Sequence, residues 1–296
     1  MPRILYRLFC ASLTAGLLTA CGSLPDREEG ALPGAWPGDE LVALTYDVAA
    51  GRLIKAHSQA LYQSQDGGRT WERIPLPRSV KKGRITAVSV PRSSPGTLFV
   101  AGPGFGIVRS QDGGATWHRL SQGLPNLKIE AFAVHSQLGN TLYVSLSGDG
   151  IYRSEDGGKT WKRMDRGPGQ DVRQLFHSNL AGSMKTGWLF AATSDGVRRS
   201  MDCFCGWREA GGVPELKAIH SVVFDPDRPE HIYAAGATAV FRSVDGGETW
   251  EVACADGPEK IALAFDPSAG ILYAAARDGT ILLSHDQGSL WERIGG

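Results

Sequence analysis

From residue 41 onward, apolar and polar residues alternate in runs too short for helices, and each run ends at Gly, Asn or Asp. One unit shows the layout: IEAFAVH, TLYVSLS and GIYRS, then SEDGGKTW running into TWKRM. The runs are rich in β-branched and aromatic residues, so each unit predicts four short antiparallel strands. An aliphatic–aromatic pair, its aromatic ten or eleven residues before the turn serine, marks the second strand in five of the six units: Leu98-Phe99, Leu142-Tyr143, Leu189-Phe190, Ile232-Tyr233 and Leu272-Tyr273. This fixed placement marks them as packing positions.

The unit repeats. Ser-x-Asp-x-Gly-x-Thr-Trp is complete at Ser64–Trp71, Ser110–Trp117, Ser154–Trp161 and Ser243–Trp250, and worn at Ser200–Trp207 (SMDCFCGW) and Ser284–Trp291 (SHDQGSLW). Successive opening serines lie 46, 44, 46, 43 and 41 residues apart. That period, with four strands per unit, predicts an all-β, six-bladed β-propeller with four-stranded antiparallel blades. Leu41 begins the first unit and Trp291–Ile294 ends the last with its own fourth strand, so the ring is expected to close first blade on last without an exchanged strand. In the complete turns the aspartate (Asp66, Asp112, Asp156, Asp245) is placed to accept hydrogen bonds from turn amides and from the following threonine, and Asp202 and Asp286 are the structural Asp-box aspartates of the worn copies. The glycines supply positive φ, and the tryptophan is expected to pack into the blade.

The N-terminal segment reads differently. Arg3 and Arg7 precede an apolar run from Leu8 to Leu18, too short to span a membrane, so residues 1–20 read as a lipoprotein signal peptide. Leu18-Thr19-Ala20-Cys21 resembles the bacterial lipobox, which makes Cys21 the expected lipidation site and several acyl chains the expected anchor. Residues 21–40, rich in Gly, Pro and acidic residues, are a flexible tether, and 41–296 form the propeller. No aspartate follows Cys21, which in such proteins favours the outer membrane; the protein is expected to be exported and lipid-anchored in the bacterial cell envelope.

Without the signal, 29 basic residues face 31 acidic ones, a net charge of −2 that excludes general nucleic-acid binding. Beyond Cys21, Cys203, Cys205 and Cys254 remain, an odd number in an oxidising compartment; a bridge between Cys203 and Cys205 and unpaired thiols are both open.

On these repeats the chain resembles the Asp-box (BNR) family, which includes bacterial sialidases, xyloglucan-cleaving glycosidases, the sortilin ectodomain and photosystem II assembly-factor-like propellers. FDPDRPEHIYAAG and GIYRSEDGGKTW look most like the assembly-factor-like and lipoprotein members. The resemblance implies boxes on the outer rim, away from the ligand face, and leaves activity open, since the fold hosts enzymes and scaffolds alike. Sialidases carry Arg-Ile-Pro before the first box; here Arg73-Ile74-Pro75 follows it.

Catalytic chemistry is sparse. Asp149, Asp195 and Asp278 each precede a glycine between second and third strands, where a hairpin turn accounts for them; Asp171 and Glu215 stand between blades. The seven histidines are scattered, and no metal or cofactor is expected. Phe105 is the best candidate for an exposed aromatic on the binding face. A positional bias remains: Arg84, Lys128 and Lys217 stand 26 residues before their box serine, Arg173 stands 27 before and Lys260 stands 24 before. In a propeller these places ring the channel mouth opposite the boxes, with Arg78, Lys81 and Lys82 extending the ring and Glu40 breaking it. The expected function is a non-catalytic, membrane-tethered propeller that binds or helps assemble another envelope protein, through this ring or by way of an anionic ligand. The alternative is a carbohydrate-active enzyme or carbohydrate-binding module.

Overall fold

The computed structural model describes residues 40–295 except 170, 185, 205 and 213–215. The signal peptide, Cys21 and nearly all of the tether lie outside the described residues. Six four-stranded antiparallel meanders follow one another: blade 1 spans 41–74, blade 2 87–119, blade 3 129–165, blade 4 172–209, blade 5 219–254 and blade 6 260–295. Their first strands (Leu41–Asp47, Ala87–Ser89, Ile129–Val134, Val172–Ser178, Ile219–Asp225 and Lys260–Asp266) form the inner ring. Each packs on its neighbours, and the first packs on the last. The propeller therefore closes with six complete blades and no exchanged strand, as the spacing predicts.

Meander topology fixes the two faces. In an antiparallel blade the turns after the first and third strands leave on one side, and the second-to-third turn and the link to the next blade leave on the other. The boxes are third-to-fourth turns, so they lie opposite the starts of the inner strands. Blades then pack face to face through the marked pairs. Phe99 meets Phe132 at 5.5 Å between ring centroids, Tyr233 meets Phe265 at 5.8 Å, and Tyr273 meets Tyr46 at 6.2 Å. Each pair joins one blade's second strand to the inner strand of the next.

The box aspartates act as the sequence predicts. Asp156 Oδ1 accepts from Ser154 Oγ (2.8 Å) and from the amides of Lys159 (3.0 Å) and Thr160 (2.9 Å), and Oδ2 accepts from Thr160 Oγ1 (2.5 Å). Asp66, Asp112 and Asp245 repeat this set with small variations. In the worn sixth copy Asp286 keeps the bonds from Ser284 Oγ and the Leu290 amide.

The tryptophans do more than pack within a blade. Trp117, Trp161, Trp207 and Trp250 send Nε1–H to Pro75 O, Leu120 O, Asp165 Oδ2 and Ala210 O, all at the end of the preceding blade. Trp71 and Trp291 bond within their own turns, to Gly68 O and Gly288 O. The indoles thus bolt neighbouring blades together at four of the six junctions.

The fourth box departs from the pattern. Ser200 Oγ bonds to Met201 O instead of the carboxylate, and Asp202 is buried where Asp112, Asp156, Asp245 and Asp286 are exposed. Its Oδ2 accepts from the backbone amide of Thr186 at 3.0 Å and from that residue's hydroxyl.

Candidate functional site

The inner strands of all six blades line an axial channel of about 190 Å3. Edge backbone, serines and Gln174 line it beside apolar side chains. Ser89 Oγ, Gln174 Oε1 and Ser221 Oγ accept from the amides of Val134, Val222 and Leu263 in the following blades. On the box side, the Arg92 guanidinium reaches Asp227 Oδ1 at 3.2 Å, joining blades 2 and 5, which face each other across the axis.

The opposite mouth holds the cations singled out in the sequence, in three different states. Arg84 and Lys128 are exposed on adjacent blades and make no ion pair among the described residues, and Arg78, Lys81 and Lys82 stand exposed on the link that leads to Arg84. Lys217, exposed at the start of blade 5, also has no ion pair among the described residues. Arg173 is engaged: it pairs with Asp171 at 3.1 Å and donates to His220 Nδ1 at 3.2 Å. Lys260 is 4% exposed, gives its ammonium to Asp256 O (3.2 Å) and Pro258 O (3.4 Å), and lies over the Trp291 ring at 5.4 Å. Burial pushes its pKa down. The structure therefore brings Arg84 and Lys128 into one basic arc, leaves Lys217 apart, and withdraws Lys260 into the fold.

Between these groups runs a mixed-charge chain. From Arg173 it passes to His220, whose Nε2 bonds Glu259 Oε1 at 2.8 Å, then to Arg277, which pairs with Glu259 at 2.5 Å and with Glu40 at 3.9 Å. Glu40 thus neutralises a cation rather than merely interrupting the ring. The Arg277 hydrogen bond, partly opposed by burial, lowers the Glu259 pKa from 4.5 to about 2. A carboxylate so depressed contributes stability in full above about pH 4.5, and that contribution is lost as pH falls towards 2. Glu259→Gln is expected to flatten that part of the acid-unfolding curve by about 1 kcal/mol after solvent screening. Urea midpoints between pH 2 and 6 measure it, and parallel curves for both proteins would show that the pair contributes nothing.

Of the carboxylates considered for catalysis, Asp149, Asp278 and Asp171 are engaged in local contacts. Asp149 accepts from Tyr152 Oη (3.1 Å) and Asn126 Nδ2 (3.4 Å) and faces Arg163 at 3.6 Å. Asp278 Oδ1 closes its turn by accepting from the Thr280 amide at 2.9 Å, and Asp195 occupies the corresponding turn of blade 4. Glu215 lies outside the described residues. Phe105 is 2% exposed and packs with Val80 and Ile85, because glycines on either side let the hairpin fold over it; it is not a surface aromatic. Cys203 and Cys254 are both disulfide-bonded.

One cluster escaped the sequence. His135 and His177, on adjacent blades, stack at 3.7 Å between centroids, and their ring nitrogens lie within 4.8 Å of each other and of an Asp202 oxygen. All three residues are buried. Burial, aided by His135, holds the His177 pKa down to about 2, and burial also lowers that of His135. Positions 135 and 177 differ by 42, four short of the 46 that separate their box serines, so spacing alone did not pair them.

Ring, boxes and blade junctions define a BNR-like β-propeller that resembles assembly-factor and sialidase-like propellers. Residues 40–183 match the family model described as photosynthesis system II assembly factor YCF48. No curated protein matches the chain in sequence. Among solved structures, YCF48 bound to D1 peptide is 20% identical with a TM-score of 0.55, over 86% of this chain and 81% of that one. YCF48 from Cyanidioschyzon merolae is 19% identical with a TM-score of 0.54, over 88% of each chain. The GH74 enzyme of Niastella koreensis is 18% identical with a TM-score of 0.58, over 85% of this chain. The present chain spans 46% of that enzyme and 55% of the Xanthomonas campestris GH74 xyloglucanase. At these identities the likeness is one of fold.

Proposed function

We propose that this protein is a non-catalytic propeller, lipid-anchored through Cys21 in the cell envelope and most consistent with the outer membrane, that binds or helps assemble another envelope protein through the face opposite its boxes. The observation that carries this reading is the basic arc of Arg78, Lys81, Lys82, Arg84 and Lys128, exposed and without ion pairs among the described residues, while Arg173 and Arg277 on the same mouth are matched by carboxylates. Unmatched charge of one sign at a concave mouth attracts an acidic surface and speeds its docking. The match to the YCF48 model and a structure of YCF48 bound to D1 peptide support a protein partner over a small substrate. The GH74 neighbours support the carbohydrate-active alternative.

Capture from detergent-solubilised membranes at low and high salt, with wild type and Arg84→Ala/Lys128→Ala/Lys217→Ala compared, tests the interface. The expected result is one specific envelope protein, released by salt and lost with the triple variant. A partner held equally by both proteins, with unchanged salt dependence, would remove the basic face from the argument. Turnover of fluorogenic glycosides that disappears on replacing Asp149 or Asp195 would establish the alternative. Cys21→Ser is expected to move the protein from the detergent phase to the aqueous phase on phase separation.

A further inference from the structure

Three residues at the junction of blades 3 and 4 break the pattern of the repeat, and all three converge. By strand register His135 stands where blades 1, 5 and 6 carry Asp47, Asp225 and Asp266, and His177 stands where they carry Tyr46, Phe224 and Phe265. Asp202 is the box aspartate that has left its own turn and faces inward. His135 keeps the job of the aspartate it replaces, since its Nδ1 accepts from the amides of Gln137 and Leu138 at 3.1 Å each. His177 keeps the aromatic packing, stacked on Tyr143 at 5.6 Å. Packing alone therefore does not require this pairing of types.

Two atoms are left over. His177 Nε2 and Asp202 Oδ1 are fully buried and have no hydrogen-bond partner among the described residues. An unsatisfied nitrogen and carboxylate oxygen at such depth are costly unless something binds them. The other His177 nitrogen, Nδ1, accepts from the Ser136 amide at 3.3 Å and faces Ser136 Oγ at 3.0 Å, so ligation through Nε2 requires the tautomer in which Nδ1–H donates to Ser136 Oγ and the amide contact is given up.

We infer that His135, His177 and Asp202 form a binding site for a divalent transition-metal ion of the zinc class, joining blades 3 and 4. Two imidazoles and one carboxylate select such an ion over calcium or magnesium, which prefer oxygen ligands. The ligand atoms lie within 4.8 Å of one another, whereas bonds of 2.0–2.1 Å place tetrahedral ligands about 3.3 Å apart. The stacked rings must therefore splay and draw inward. His135 sets the affinity, because both of its nitrogens are engaged: Nδ1 with Gln137 and Leu138, and Nε2 with Thr186 Oγ1 at 2.7 Å. Either route to the metal breaks one of these contacts, so the turn at 135–138 or the Thr186 bridge loosens on binding.

The full chain, purified in detergent and stripped with chelator, is titrated with cobalt(II) and then with zinc. One cobalt ion per chain with visible d–d bands is expected, displaced by zinc, together with a zinc-dependent rise in thermal midpoint. His177→Phe, which installs the residue found at this position in blades 5 and 6, and Asp202→Asn, which keeps the carboxylate's shape, are expected to abolish both signals while retaining the β spectrum. Asp202→Asn alone decides the matter if His177→Phe fails to fold. No saturable cobalt binding by wild type at millimolar ion overturns the site. Equal binding by the variants overturns it as well and moves the ion elsewhere.

Discussion

Trp250→Ala is expected to lower the unfolding free energy by about 3–5 kcal/mol, the cost of truncating a buried aromatic. Trp250 is 6% exposed, packs in the cluster that contains Phe190 and Phe241, and donates Nε1–H to Ala210 O at 2.6 Å. Truncation opens a cavity at the junction of blades 4 and 5 and strands the Ala210 carbonyl, which is provided by the preceding blade. Trp291 supplies the contrast. It is only partly buried and bonds Gly288 O in its own turn, so Trp291→Ala is expected to cost about half as much or less. Urea unfolding of the two variants measures the difference. Equal losses would mean that the indoles stabilise their own turns and that the cross-blade bond is incidental.

Much of this was legible in the chain because a repeat states its local chemistry six times. The serine, aspartate and threonine of each of the four complete boxes sit within seven residues, and the hydrogen bonds they predict are the ones found. Ring closure followed from Leu41 and Trp291, since both end units contain four strands. What the chain hid depends on the partner across a junction. Nothing beside Trp117 in sequence says that its N–H reaches Pro75 O. Nothing in SMDCFCGW says that Asp202 leaves its turn for Thr186. Lys260 did carry a warning: it stands 24 residues before its serine where three other cations stand 26 before, and that shift takes it beneath Trp291. Arg84 and Lys128 keep the common offset and stay at the mouth.

Gly102→Ala tests how the fold presents its basic arc. A Cβ on Gly102 would fall 1.9 Å from Arg84 O and 2.9 Å from the Phe105 ring, and one on Gly83 would fall 1.9 Å from Pro103 O. The link carrying Arg84 therefore lies directly against the hairpin of blade 2, with hydrogens in place of side chains on both strands of the contact. Backbone meeting backbone has no flexible end to move aside, so the substitution is expected to cost roughly 3 kcal/mol or more, well above ordinary overpacking at a yielding site. It should also shift Arg84 and the exposed Lys81 and Lys82, weakening partner capture at temperatures where the blades remain folded. Gly113→Ala is the control, since its Cβ would meet nothing within 4 Å and only a φ of +73° opposes it. That conformational cost is about 1 kcal/mol, with no change at the mouth. Thermal midpoints together with limited proteolysis of the link at 77–86 separate the two effects. Equal losses in both variants would mean that conformational freedom, rather than close approach, explains the glycine at 102.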